Sequence, residues 1–381
     1  MVKRAIKSTC LFILVLLMLQ ISVYAEEVDY TAEYKDMLDS LPDYIVEILP
    51  EKLFSDNIEE IGEGAEEAIR LDYVLRVIVD QIGLKLEGVL KMLALILGTL
   101  VISSMLGSVK SAFSSGGIVK AFSLLSACVV FLSAVGSQMS ILQSVSEFFD
   151  RLCLFVNTLI PLTCSLYAMG GNVATAVVNH SSLMIFMNIV ENFCAQSVMV
   201  ICGICLAFAA VNTVLGEVDL GSLSGFFKKT FTQGLTFFMS VFAAVIGAQS
   251  LLAGRADNLA GRAAKFAVGS LIPTVGSALS GTLGTVSGSI EYIRASVGVV
   301  GIVAIILMVA PTLVTLILSK FAFELLEAAA DILGCPNEKK IIKELSGING
   351  FLLAVAAICS VCLVFLVALF AKCSAATGGG I

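Results

Sequence analysis

The sequence predicts an all-α protein of the membrane, a polytopic helical chain with a cleaved signal peptide and a small acidic helical exported segment. Three observations carry this. Of 381 residues 58% are hydrophobic and only 14% charged, a balance foreign to soluble domains. The apolar residues gather into runs near the length that crosses the hydrocarbon of a bilayer. Charge is sorted along the chain: residues 1–25 hold three basic groups and no acid, residues 26–87 hold 18 acids against 5 basic groups, and the remainder is nearly balanced. The formal net charge of −7 therefore belongs to one short segment, and the absence of a basic patch or stripe speaks against a nucleic-acid partner.

Residues 1–25 place Lys3, Arg4 and Lys7 before an apolar core from Leu11 to Val23, then Val23-Tyr24-Ala25 ahead of an acidic run. That is the plan of a signal peptide cleaved after Ala25. An uncleaved anchor is the alternative, against which a core of about 13 residues is short. Either way residues 26–88 form an acidic extracytoplasmic segment. Tyr30, Tyr34, Met37, Leu38 and Leu41 recur at helical spacing, as do Val74, Leu75, Ile78 and Ile82, with Pro42 and Pro50 as punctuation. An acidic helical face of this kind suits a solvated extension or a docking surface for a partner.

Residues 89–381 read as a multi-span membrane domain in contact with lipid, with eight candidate spans at 92–109, 118–141, 152–169, 183–215, 230–253, 266–290, 295–318 and 348–371. If all eight cross, the inner connections hold Lys110, Lys120, Arg255, Arg262, Lys265, Lys320, Lys339, Lys340 and Lys343, and the outer ones Arg151, Lys228, Lys229, Arg294 and Lys372. Basic residues favour the inner side, which supports that arrangement over one in which 266–290 is re-entrant.

The stretch Arg262–Ser289 runs from Phe266 to Ser289 without a charge, yet it is built from Gly, Ser, Thr and Ala around Pro273. Such a segment gains little from lipid, but its small side chains allow backbones to approach closely. Gly276, Gly281, Gly284 and Gly288 fall within it, so it reads as an interior packing or pore-lining element. Thr158-Leu159-Ile160-Pro161, followed by Gly170 and Gly171, echoes Ser270-Leu271-Ile272-Pro273. Paired Pro-interrupted segments are what a transporter of inverted repeats would show, since broken helices offer backbone groups to a ligand. Beyond the seventh span Glu324, Glu327 and Asp331 share a helical face; they fit a wet interfacial helix or the acidic lining of a pore.

Catalytic chemistry is not signalled. His180 is the single histidine, and the chain carries no phosphate loop, dinucleotide fingerprint, nucleophile elbow or H-E-x-x-H. Cys202-Gly-Ile-Cys205 and Cys359-Ser-Val-Cys362 have redox spacing but lie inside apolar runs, without a second ligand pair beside them. The reading is a non-enzyme with no catalytic residue, cofactor or metal.

The order and wording of the core sharpen this. Thr158-Leu159-Ile160-Pro161 leads through Gly170-Gly171-Asn172-Val173 to Met184-Ile185-Phe186-Met187-Asn188. Arg262-Ala263-Ala264-Lys265-Phe266 leads through Ile272-Pro273-Thr274-Val275-Gly276 to Val297-Gly298-Val299-Val300-Gly301. From about residue 88 onward the chain resembles the stage III sporulation protein AE family. The resemblance implies a mother-cell protein in the outer membrane around the forespore. It also implies a place in a channel or feeding complex with the other proteins of the stage III sporulation A operon and a forespore-side partner. The alternative is a permease for a small metabolite, using the two Leu-Ile-Pro segments. Gly284→Leu and Gly288→Leu are expected to disturb helix packing or assembly; normal complex formation and normal spore yield in both variants would remove these glycines from any such role.

Overall fold

The computed structural model describes residues 30–55, 58–110, 116–215, 220–271 and 276–375; the segment read as a signal peptide and Pro273 lie outside them. Among the described residues every element is helical. Two short helices, α1 (Tyr30–Asp39) and α2 (Asp43–Val46), a 3-10 turn (Glu51–Phe54) and α3 (Ile58–Ile69) build the acidic segment. Seven longer helices and one π-helical turn follow: α4 (Leu71–Lys110), α5 (Gly116–Met169), α6 (Val173–Asn188), the π-helical turn (Ile189–Ala195), α7 (Gln196–Leu215), α8 (Gly221–Leu271) and α9 (Gly276–Ile332). The last, α10, is Pro336–Ala375.

Six helical stretches are long and apolar enough to cross a membrane: 76–108, 119–169, 173–213, 221–263, 296–332 and 336–369. The chain is therefore a multi-pass helical membrane protein. Seven of the eight apolar stretches fall among these six, and 266–290 falls in none of them. Stretches 118–141 and 152–169 lie on the single helix α5, which at 1.5 Å per residue is about 80 Å long and does not double back. Stretch 266–290 is divided between the end of α8 and the start of α9, helices that stop at Leu271 and begin at Gly276. A boundary at residue 88 falls inside α4, so the acidic segment runs into the first membrane helix without a linker.

Burial sorts the helices. The most apolar windows of α9 and α10 are 61% and 50% buried, whereas those of the other four crossing stretches are 22–28% buried. Helices α9 and α10 form the centre, packed along each other, and α4, α5 and α8 lie around them with lipid-facing leucines and phenylalanines such as Leu95, Leu132, Phe237 and Leu252. At the contact between α9 and α10 a Cβ added at Gly298 would stand 2.8 Å from the Cβ of Ala371, so only glycine admits this approach. The tight turns closing α5 and α9 use Gly171 and Gly334, with φ of 73° and 68°, and in each the next amide bonds back to the helix: Asn172 to Tyr167 and Cys335 to Ala330, both at 2.9 Å.

Side-chain contacts fix which ends lie together. Ser103 of α4, Ser126 of α5 and Glu338 of α10 meet, and Lys228 of α8 meets Glu344 of α10. This end of the bundle gathers Lys228, Lys229, Lys339, Lys340 and Lys343 beside the connection that bears Lys110 and Lys120. At the opposite end Asp257 of α8 meets the start of α6, and the acidic segment packs on α5. The eight-span reading put Lys228 and Arg255 on the reverse sides. A topology reporter fused at Leu220 should accordingly read cytoplasmic and one fused at Arg262 extracytoplasmic; the opposite pair of signals would restore a crossing between them as the eight-span arrangement has it.

Candidate functional site

Several buried polar residues converge on the first half of α10. Pro336 opens the helix where its missing amide costs nothing, and Glu338 follows in the first turn, where a carboxylate is favoured by the helix dipole. Glu338 is buried, and its Oε1 accepts hydrogen bonds from Ser103 at 2.5 Å and Ser126 at 3.0 Å. Two turns on, Glu344 Oε1 accepts from Lys228 Nζ at 2.6 Å and from the Ser224 hydroxyl. The two charged side chains are only 12% and 11% exposed, so this is an enclosed ion pair rather than a surface one. Further along, Gln138 Nε2 donates to Asn349 Oδ1 at 2.8 Å, with both residues fully buried. One helix thus holds α4, α5 and α8 through three polar contacts.

A second anchor lies at the far end. Asp257 of α8, 7% exposed, accepts from the backbone amides of Ala174 and Thr175 at 2.9 and 2.8 Å and from the Thr175 hydroxyl at 2.7 Å. Asn172, the residue preceding α6, makes no side-chain cap bond, so the cap comes from another helix. Asn179, one face further along α6, is fully buried with both amide atoms unpaired. It lines a small pocket of about 20 Å³ with Thr163 and Gly298, large enough for a single water.

The positions singled out from the sequence are spread apart. Pro161 sits exposed inside the unbroken α5. Gly170 and Gly171 form the turn into α6. Gly276, Gly281, Gly284 and Gly288 lie on the first turns of α9, next to Pro273, which is outside the described residues. Glu324 and Asp331 are exposed on α9 and face Lys320 at 3.6 Å and Lys339 at 2.5 Å, an arrangement of surface ion pairs. Among the described residues no three His, Cys, Asp and Glu side chains converge as a metal site. Both C-x-x-C pairs are buried on adjoining helices, with Cys359 Sγ 3.7 Å from Cys194 Sγ. Sequence reasoning passed over Glu338, Glu344 and Lys228 because each stands among charged neighbours and reads as a solvated connection. Gln138 and Asn349 did carry a signal, as amides in or beside apolar runs.

The buried pair gives a direct test. Lys228→Met alone leaves Glu344 enclosed without its cation and is expected to lower stability in detergent by about 3 kcal/mol. The double variant Lys228→Met with Glu344→Met should recover most of that loss, measured by thermal unfolding; equal losses in both would mean the pair is not the enclosed contact described.

The profile of the family described as stage III sporulation protein AE matches residues 53–376. The protein named stage III sporulation protein AE of Bacillus subtilis (strain 168) is 24% identical over 243 residues, a match that takes in 63% of this chain and 61% of that relative. No solved structure matches. With a family match that runs from the acidic segment to the end of the last helix, the chain belongs to the stage III sporulation protein AE family.

Proposed function

We propose that the chain is a membrane subunit of a sporulation-specific transenvelope channel or feeding complex, one that links mother cell and forespore and serves forespore development. In this reading a cleaved signal peptide exports the acidic segment, and the protein lies in the mother-cell membrane around the forespore. Its partners are the other proteins of the stage III sporulation A operon and a forespore-side protein.

The observation that carries this reading is the form of α5. A helix of about 80 Å is more than twice the thickness of the hydrocarbon, which is about 30 Å. Its far half is clothed by the acidic segment: α1 packs along it, Ser40 and Thr158 share a hydrogen bond of 3.0 Å, and Ser165 donates to Glu33. Tyr34 donates to the Leu53 carbonyl at 3.0 Å and locks the segment on itself. Burial raises the Tyr34 phenol well above its ordinary value, so this lock holds throughout the physiological range and loosens only in strong alkali. In this reading the segment and α5 form a body that stands beyond the bilayer, with the exposed side chains of Glu60, Glu63, Glu66 and Glu67 on its periphery. A subunit that must meet partners across an intermembrane space requires such a body. The permease reading rests on two broken helices, and Pro161, the first of the pair, lies in a helix that is not broken.

Extraction of membranes from sporulating cells should bring this chain out together with other proteins of that operon. The double variant Glu66→Lys with Glu67→Lys changes only exposed side chains and is expected to weaken the association while leaving membrane insertion intact. Recovery of the chain alone, with solute flux through the purified protein in vesicles, would overturn the proposal in favour of the permease.

A further inference from the structure

Where the acidic segment meets the membrane helices the structure holds a cavity of about 320 Å³ that neither the polar contacts of α10 nor the family assignment uses. Four elements wall it. Tyr44 comes from α2, Gln81 and Lys85 from one face of α4, Ser144, Glu147 and Arg151 from one face of α5, and Thr312 and Thr315 from α9. Phe148, Met308 and Pro311 supply its apolar lining. Its size is at the lower end for small-molecule sites.

The polar groups are poised rather than spent. Gln81 is 5% exposed and its amide has no partner among the described residues. Lys91, one and a half turns along α4, is paired with Glu87 at 2.7 Å, whereas Lys85 has no carboxylate at ion-pair distance among the described residues. Arg151 lines the cavity beside Tyr44 and stands 3.9 Å from Glu147, too far for a hydrogen bond, which leaves guanidinium donors unmatched. Thr315 spends its hydroxyl on the Pro311 carbonyl at 2.8 Å; Thr312 beside it does not. Two cations face one anion here, and an amide and a hydroxyl stand ready.

We propose that this cavity binds a phosphate-type oxyanion, held by Lys85 and Arg151 with Gln81 and Thr312 as neutral donors, and that its occupant is the headgroup of an anionic glycerophospholipid. A lipid headgroup rather than a free solute is indicated by the mouth. Leu84 lines the cavity yet is 72% exposed, and Leu95, about three turns further along the same face of α4, is 55% exposed, so acyl chains have a surface beside the headgroup. The site also lies where a headgroup is found, at the foot of the exported segment against membrane helices. Guanidinium and ammonium groups are suited to phosphate, and removing one charge-assisted contact weakens binding by about tenfold. The bound lipid would then brace the acidic segment against α4 and α5.

Native mass spectrometry of the full chain in detergent, supplied with phosphatidylglycerol or phosphatidylcholine, tests this. Phosphatidylglycerol should be retained preferentially. Lys85→Gln, at an exposed position that leaves the fold intact, should lower that retention about tenfold, and Arg151→Gln should do the same. Lys91→Gln, outside the cavity, should not, and Glu147→Gln should tighten binding by removing the opposing charge. Equal retention of the two lipids, or retention unchanged in Lys85→Gln, overturns the site. If inorganic phosphate raises the thermal stability of the wild type but not of Lys85→Gln, and phosphatidylglycerol shows no preference, the occupant is a soluble oxyanion and the headgroup assignment falls.

Discussion

The contact on which the bundle depends is the enclosed pair between Lys228 and Glu344. Apolar burial drives helices into a bilayer but does little to tell one helix face from another once they are there, because lipid tails are as apolar as leucine. Directional contacts must do the choosing. Glu344 has its charge satisfied only where Lys228 and Ser224 stand, and Glu338, six residues earlier, only where Ser103 and Ser126 stand. Two carboxylates on one rigid helix therefore fix both the height and the rotation of α10 against its neighbours. The Gln138–Asn349 bond further up repeats the constraint in neutral form.

The same logic explains why the acidic segment is not a separate module. Met37, Ile45 and Leu53 are fully buried and belong to the same apolar cluster as Phe149 and Leu152 of α5. A segment this short buries too little surface to stand alone. By laying its few apolar residues on the far half of α5 it covers a helix face that would otherwise be exposed. Glycine supports the arrangement where helices meet most closely, at Gly298 against Ala371, and where they reverse, at Gly171 and Gly334.

Much of the fold was legible in the sequence. Hydropathy located the apolar runs and their helical character, and charge counts the acidic character of the segment that precedes them, because those depend on composition over some twenty residues. The pairing of runs into helices was not legible. Residues 142–151 between two apolar stretches of α5 are polar enough to read as a connection, with Gln143, Ser144, Ser146, Glu147, Asp150 and Arg151, yet they continue the helix because the acidic segment, α4 and α9 meet them there. Pro161 read as a break, but a proline within a long packed helix removes one amide bond and leaves the rest. The carboxylates that matter at depth were hidden for a related reason. Glu324, Glu327 and Asp331 make a visible helical face, and the visible face is the exposed one with lysines nearby. Glu338 and Glu344 look like part of a charged loop until the start of α10 is seen to lie inside the bundle.

The two ends of the bundle differ in a way that bears on assembly. One end gathers lysines and is tied inward through Glu338, on Ser103 and Ser126, and through Glu344, on Lys228; the other carries the acidic segment and is tied through Asp257, which caps α6 from α8. Basic residues resist translocation, which favours an arrangement with the lysine end on the cytoplasmic side and the acidic segment on the other. That asymmetry orients every helix at once, because consecutive helices are joined by short connections and cannot turn independently. It also separates the tasks of the molecule: packing is settled by buried pairs at the lysine end, which leaves the acidic periphery on the opposite side free of structural duty and open to contact.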